Sequence, residues 1–336
     1  MLLFLTPHFA RQPQVAVTAA SRASRCLQVT GCTAPGVFTE DGWSLDAPAA
    51  AALVLCGDTV LGGHLSCHPS PPTLDSAPHP LLALATPESL GEAWPGRAQP
   101  RFGLLSTDND SERPGRVWTG GKVAHNARCE VGFGDAGIAV GVSRGLRPVS
   151  PPLEVTDTDG HELFELAGQP ALATLLSGLP PELRGNPPLS HLFAGLPEAG
   201  IDPEQAIASG RYGLVPILGV SNDEQSLTLA APLSPGDMLF WALRQPAAAE
   251  EDTAALIDTL SAAQPAPEFA LMFACIGRGP YFFGGEDLDL ARIGARFPGL
   301  PVLGAYGAGE IAPLPGGSAI VSYSAVIALV GSHVQS

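Results

Sequence analysis

Apolar residues come in short runs broken by glycine, proline and polar turn residues, a spacing that predicts many strands and few helices. Leu2 to Thr6 reads as a buried strand, and Gln14 to Leu27 as an Ala-rich helix with a stripe through Val15, Ala19, Arg22 and Cys26. LQVTGCTAPG then reads as a strand running into a turn at Pro35–Gly36. Ala49 to Cys56 is an apolar run closed by Gly57–Asp58, and residues 61–80, rich in Pro, Ser and His, read as a loop. Further strands are expected at 81–86, 101–106, and on either side of a GDAG turn at 128–133 and 137–142. Two short strands surround Asp159–Gly160, and Ala171 to Leu179 reads as a helix ending at Pro180–Pro181.

A Pro-rich stretch from Pro180 to Pro188 precedes a second half with its own rhythm. Tyr212 to Val220, Ser226 to Ala230 and Met238 to Arg244 read as strands, and Pro203 to Ser209 as a short helix. Glu251 to Ala263 carries Leu256, Ile257 and Leu260 on one helical face, and Leu288 to Phe297 is a second helix. Phe269 to Ile276, Pro301 to Tyr306 and Ala319 to Val330 complete the strands. Strands joined by short turns argue for mixed or antiparallel sheets. The expected class is α+β, in two domains, 1–168 and 169–336. No repeat stands out at short period.

Composition narrows the function. A net charge of −16 repels phosphate, so neither nucleic acid nor an anionic membrane surface is expected as a partner. Hydrophobic residues at 45% against 15% charged allow a sizeable core. The six cysteines show no secreted-scaffold spacing and read as reduced thiols. The opening MLLFLTPHFARQ lacks a basic n-region and a small-residue cleavage site, and no run approaches the ~20 apolar residues of a spanning helix. A cytoplasmic location is expected.

LMFACIGRG at 271–279, FPGLPVLGAYGAGEIAPL at 297–314 and the earlier YGLVPILGVSNDEQSLTLAAPLSPGDMLFWALR stand in one order. VTGCTAPGVFTEDGW near 29–43, the Gly120–Gly121 pair and GVSRGLRPVSPPLEVTDTDGHELFELAGQPAL at 141–172 precede them. Together they resemble the N- and C-terminal domains of the FIST family over nearly the whole chain. The resemblance implies a sensory protein that binds a small ligand, such as an amino acid, and signals to a protein partner. No cofactor is expected. No kinase, cyclase or methyl-acceptor output region is recognisable.

Among candidate residues, Cys275, Arg278 and Glu310 lead. Gly279 and Gly309 flank them in glycine-rich turns that allow close backbone approach, and Tyr306 lies between. Arg278 suits a ligand carboxylate by bidentate hydrogen bonding, Glu310 an ammonium group, and Cys275 the wall. The competing structural reading is an Arg278–Glu310 ion pair fixing two loops around a core cysteine. Cys32 precedes a turn and is either a nucleophile or a small buried side chain. His64, Cys67 and His68 have partial zinc-ligand spacing without a second cluster, so no metal is expected. Gly120–Gly121–Lys122 lacks the spacer and the hydroxyl residue of a phosphate loop and reads as a tight turn, with Gly121 facing the space between sheets. His125, Asn126, Arg144 and Arg147 are polar candidates for a pocket wall or for plain surface.

Two other function classes stay open. One is a protein-interaction module without a small ligand. The other is a cysteine-dependent enzyme, which would need a base beside Cys32 or Cys275. The expectation is no catalysis.

Overall fold

The computed structural model describes residues 1–56, 61–66, 79–91, 99–106 and 115–332, with the backbone alone at His64 and Ser66. The chain forms two compact units, Met1–Arg144 with Asp252–Ser336, and Gly145–Glu251. Mixed and antiparallel sheets with a few helices make it α+β. Residue 168 falls inside the second unit, so the halves of the sequence and the compact units divide the chain differently. Among the described residues no helix is long and apolar enough to cross a membrane.

The first unit repeats one strand pattern three times. The first repeat runs β1 (Leu2–Leu5), α1 (Pro13–Ser24), β2 (Thr30–Thr33), β3 (Gly36–Thr39), β4 (Gly42–Leu45) and β5 (Ala50–Leu53). After β6 (Gly62–Ser66) comes the second: β7 (Leu81–Ala85), β8 (Arg101–Leu105), β9 (Val117–Thr119), β10 (Lys122–Ala124) and β11 (Arg128–Gly132). β12 (Gly137–Ser143) follows, and the chain enters the second unit.

That unit comprises β13 (Leu146–Pro148), β14 (Leu153–Asp159), β15 (Glu162–Leu166), β16 (Gln169–Pro170), α2 (Ala171–Gly178), β17 (Leu192–Pro197), α3 (Pro203–Ala208), β18 (Tyr212–Ser221), β19 (Ser226–Leu229) and β20 (Met238–Arg244). Strands β20, β14, β15, β19, β18 and β17 pair in that order, and β17 pairs β20, closing an antiparallel barrel that hides its edges. Its core gathers Val155, Leu163, Leu192, Leu227 and Trp241, with Leu172 and Leu175 of α2 packed on it. The Trp241 indole donates to Thr174 Oγ1 at 3.0 Å.

Helix α4 (Pro246–Ala263) leads back into the first unit, which its residues from Asp252 onward join. The third repeat is β21 (Pro267–Cys275), α5 (Leu288–Arg296), β22 (Val302–Gly307), β23 (Glu310–Leu314), β24 (Gly317–Val321) and β25 (Ala325–Gly331).

In every repeat the first two strands are parallel: β1 with β2, β7 with β8, β21 with β22. The last strand returns antiparallel on the free edge of the first: β5 on β1, β11 on β7, β25 on β21. The hairpin between them is exchanged. β3 joins β22, β9 joins β2, and β23 joins β8, each antiparallel. The three sheets are thus interlocked. Gly31, Gly103 and Gly304 occupy the same register, opposite Leu3, Ala83 and Met272, and a Cβ at any of them would overlap that partner's carbonyl oxygen. Each parallel-pair opening also ends in a short 3-10 turn: Pro7–Phe9, Pro87–Ser89 and Ile276–Arg278.

Inner faces of all three sheets share one core, including Leu2, Phe4, Leu82, Leu84, Phe102, Leu271, Phe273 and Val326. α1 covers the outer face of the first sheet, and α4 and α5 that of the third. The stripe expected on α1 is displaced. Val17 is buried while Val15 is 66% exposed, because the sheet selects the Ala16–Val17–Ala20 side. β6 was expected to be loop. It is a strand because β11 offers it a partner edge, a long-range cause that GGHLS does not advertise.

Candidate functional site

The third repeat differs from the other two in its chemistry, at positions fixed by register. Glu310 pairs Leu104 on the exchanged hairpin, Val117 pairs Cys32, and Val37 pairs Ala305, so these three residues are counterparts. Ser324, Ala127 and Ala49 are counterparts too, since their carbonyls accept from Cys275, Thr86 and Thr6 in the same place. Two repeats therefore carry Val and Ala where the third carries Glu310 and Ser324, hydrogen-bonded at 2.7 Å.

Glu310 is fully buried, and its Oε1 has no hydrogen-bond partner among the described residues. Burial pushes its carboxyl well above the usual range. The Ser324 hydrogen bonds and the positive charges of Arg278 and Arg144 pull the other way and are outweighed. A buried carboxyl with an unmade hydrogen bond is costly, so it calls for a compensating role.

Arg278 is equally buried, and its guanidinium is fastened within the first unit. Nε donates to Asp289 Oδ2 at 2.8 Å, and the same head reaches Asp289 Oδ1, Ser143 O, Ser143 Oγ and Thr253 Oγ1. Thr253 Oγ1 donates in turn to Asp289 Oδ1 at 2.6 Å. Asp289 is on α5, Thr253 on α4 and Ser143 at the end of β12, so one arginine ties three elements to the 3-10 turn after β21. The ion pair of Arg278 is with Asp289; its effect on Glu310 is through the field. Arg144 is buried, and its backbone N–H donates to Asp252 Oδ2 at 2.7 Å.

Tyr306, on β22, donates a short hydrogen bond to Asp287 Oδ2, while Asp287 Oδ1 caps α5 by accepting from Leu290 N. Burial and the neighbouring Asp289 raise the Asp287 carboxyl to about 6, against the Tyr306 and backbone hydrogen bonds. Burial first, then Asp287, pushes the Tyr306 phenol up as well. Gly279 lies against the Tyr306 ring, where a Cβ would sit 3.2 Å from Cε1. Gly309 is buried at the crossing between sheets, and its carbonyl accepts from Leu105 N at 2.9 Å. Cys275 is the strand residue just before the Arg278 turn and is buried. The structure thus brings Cys275, Arg278, Gly279, Tyr306, Gly309 and Glu310 to the end of one parallel pair. Ser143, Thr253, Asp287, Asp289 and Ser324 complete the network. The sequence marks the two aspartates only as ordinary acidic residues at a helix start.

The remaining candidates lie elsewhere. Cys32 is inward-facing in the shared core. Burial, with a smaller push from Cys129, raises its thiol far from a reactive range, and burial pushes Cys129 up to about 12. Neither is expected to be carbamidomethylated by iodoacetamide at neutral pH in the folded protein. Modification as fast as that of a free thiol, read by peptide mass spectrometry, would contradict this. Gly121 turns the β9–β10 hairpin in a left-handed conformation, and its carbonyl accepts from Gln14 of α1 at 2.8 Å. His125 and Asn126 are exposed, and Arg147 pairs with Glu251 on the surface. Cys67, His68 and the His64 side chain lie outside the described residues. Among the described residues no group of three or more His, Cys, Asp or Glu could hold a metal.

Comparison with known proteins agrees with the motif order. The FIST N domain matches residues 1–169 and the FIST C domain residues 171–313. The chain belongs to the FIST family. Its FIST N domain therefore ends inside the barrel unit, and its FIST C domain holds the rest of the barrel and most of the third repeat. Uncharacterized protein Mb0898c of Mycobacterium bovis is 32% identical over 195 residues, 56% of this chain and 49% of that protein. Uncharacterized protein Rv0628c of Mycobacterium tuberculosis is 30% identical over the same shares. The chain thus spans about half the length of these relatives.

Proposed function

We propose that this FIST protein is a sensor whose small ligand, an amino acid, is bound at Glu310 and reported to a protein partner. The observation that carries the reading is the unpartnered Oε1 of Glu310, at a position where two sister repeats keep valine. An ammonium group on the ligand supplies the missing donor and favours the charged carboxylate. Arg278 and Arg144 supply positive field for the ligand carboxylate. Arg278 acts as a positioning residue, because its Nε and Nη2 are engaged by Asp289, Ser143 and Thr253. Glu310 has no exposed surface, so ligand enters a minor, opened state and shifts the population toward it.

The test is thermal stabilisation by a panel of free amino acids, comparing wild type with the Glu310→Val/Ser324→Ala double variant. A ligand at 100 times its dissociation constant adds about 2.7 kcal/mol to wild type. The expected result is a saturable rise in Tm for wild type and none for the variant. An equal rise in both removes Glu310 from the site, and no rise with any amino acid removes the amino-acid reading.

A further inference from the structure

We propose that the free edge of β5 is a docking slot for one extended strand of a partner protein, running antiparallel to β5. The inference stands apart from the ligand site and rests on the threefold pattern. In the second repeat β6 lies antiparallel on the outer edge of β11, and in the third β12 does the same on β25. β5 is the counterpart of β11 and β25. It pairs β1 on one side and ends its sheet, with no strand on its other side among the described residues.

The place where a strand would lie is a shallow groove. It holds about 260 Å³ between β5 and the β3–β4 hairpin, and its lining includes Val37, Thr39, Trp43, Ala50 and Ala51, with Asp41 as its one charged residue. Thr39 is the counterpart of Thr119, and in the filled second slot Thr119 Oγ1 lies so close to Gly63 of β6 that a Cβ there would overlap it. The wall that receives β6 is therefore present beside β5, without a strand on it among the described residues. Residues 49–56 carry no charge and no proline, so this short edge lacks those two guards against pairing. The Thr6 N–H bond to Ala49 O sets the ladder phase: Ala49, Ala51 and Leu53 turn their backbone groups to β1, and Ala50 and Ala52 turn theirs outward.

The strands that fill the equivalent slots define the occupant. β6 is GGHLS and β12 is GIAVGVS, both glycine-containing and uncharged at neutral pH apart from histidine. A partner segment of that kind, uncharged and built from glycine and aliphatic residues, fits by main-chain pairing, as in other strand-addition complexes.

The experiment uses the intact chain and a fluorescein-labelled peptide Gly-Ile-Ala-Val-Gly-Val-Ser, the β12 sequence. Anisotropy is expected to show saturable binding, and hydrogen exchange to show protection of the Ala50 and Ala52 amides only with peptide. Ala52→Pro removes one outward N–H and Thr39→Lys places a charge on the wall. Each is expected to weaken binding about tenfold or more while leaving Tm within a few degrees. Unchanged affinity in both variants, or no binding to wild type, overturns the proposal. So does protection of Ala50 and Ala52 in the peptide-free monomer. A wild-type dimer that Ala52→Pro converts to monomer assigns the slot to a second copy and likewise overturns it.

Discussion

Replacing Arg278 with alanine is expected to cost about 3–5 kcal/mol of stability, because it strands the buried carboxylate of Asp289 without its ion partner. The loss reaches further than one pair. Ser143, Thr253 and Asp289 each bond the guanidinium, so β12, α4 and α5 lose a common anchor at once. Arg278→Lys is expected to recover little, since an ammonium cannot hold both carboxylate oxygens and the two hydroxyls in one plane. The double variant Arg278→Met/Asp289→Leu is expected to be more stable than Arg278→Ala, because it removes both charges and keeps volume. Urea midpoints with unchanged slope decide the matter. A cost below about 1 kcal/mol for Arg278→Ala would mean that the network is not holding these elements together. The same reasoning limits what Arg278 variants say about binding. Their loss of ligand response would follow from loosened architecture as readily as from a lost contact.

The sequence reveals the third-repeat cluster because its residues sit in glycine-framed turns after apolar strands, and Arg278 and Glu310 are rare charges in such surroundings. It does not reveal their partners. Asp289 and Thr253 are ordinary helix residues until α4 and α5 are laid side by side on the third sheet. The threefold pattern is hidden for a similar reason. LLFLTP and LLALATP begin two repeats, but the third opens ALMFACIG, and the barrel unit separates β12 from β21. What the repeats share is hydrogen-bond register and three crowded glycines, both long-range properties. Short strands were legible where apolar runs alternate with turns. β6 was not, since it exists through pairing with a strand distant in sequence; β3, also missed, pairs its neighbour β4 as well as the distant β22.

The internal comparison also predicts a substitution that should strengthen the fold. Glu310→Val/Ser324→Ala writes into the third repeat the Val and Ala found at the counterpart positions of the first and second. Backbone and register at those positions already accept these side chains, so the variant is expected to fold. Exchanging a buried, incompletely bonded carboxyl for well-packed apolar groups is expected to add about 1–4 kcal/mol at neutral pH. The gain should depend on pH with a definite sign. The folded state holds the Glu310 proton more tightly than the unfolded chain does, so wild-type stability contains a contribution that is complete below the usual glutamate range and is lost as pH rises above it. The variant lacks that loss. The stability difference between variant and wild type is therefore expected to be smallest near pH 4 and to widen toward pH 7, until the folded-state group ionises. Asp287, raised to about 6, slopes the same way in both proteins and cancels in the difference. Paired urea titrations across that range provide the measurement. A difference that stays flat, or a variant less stable than wild type at pH 7, would show that Glu310 is charged and satisfied in the folded state. The proposed ligand site would then lose the unmet hydrogen bond on which it rests.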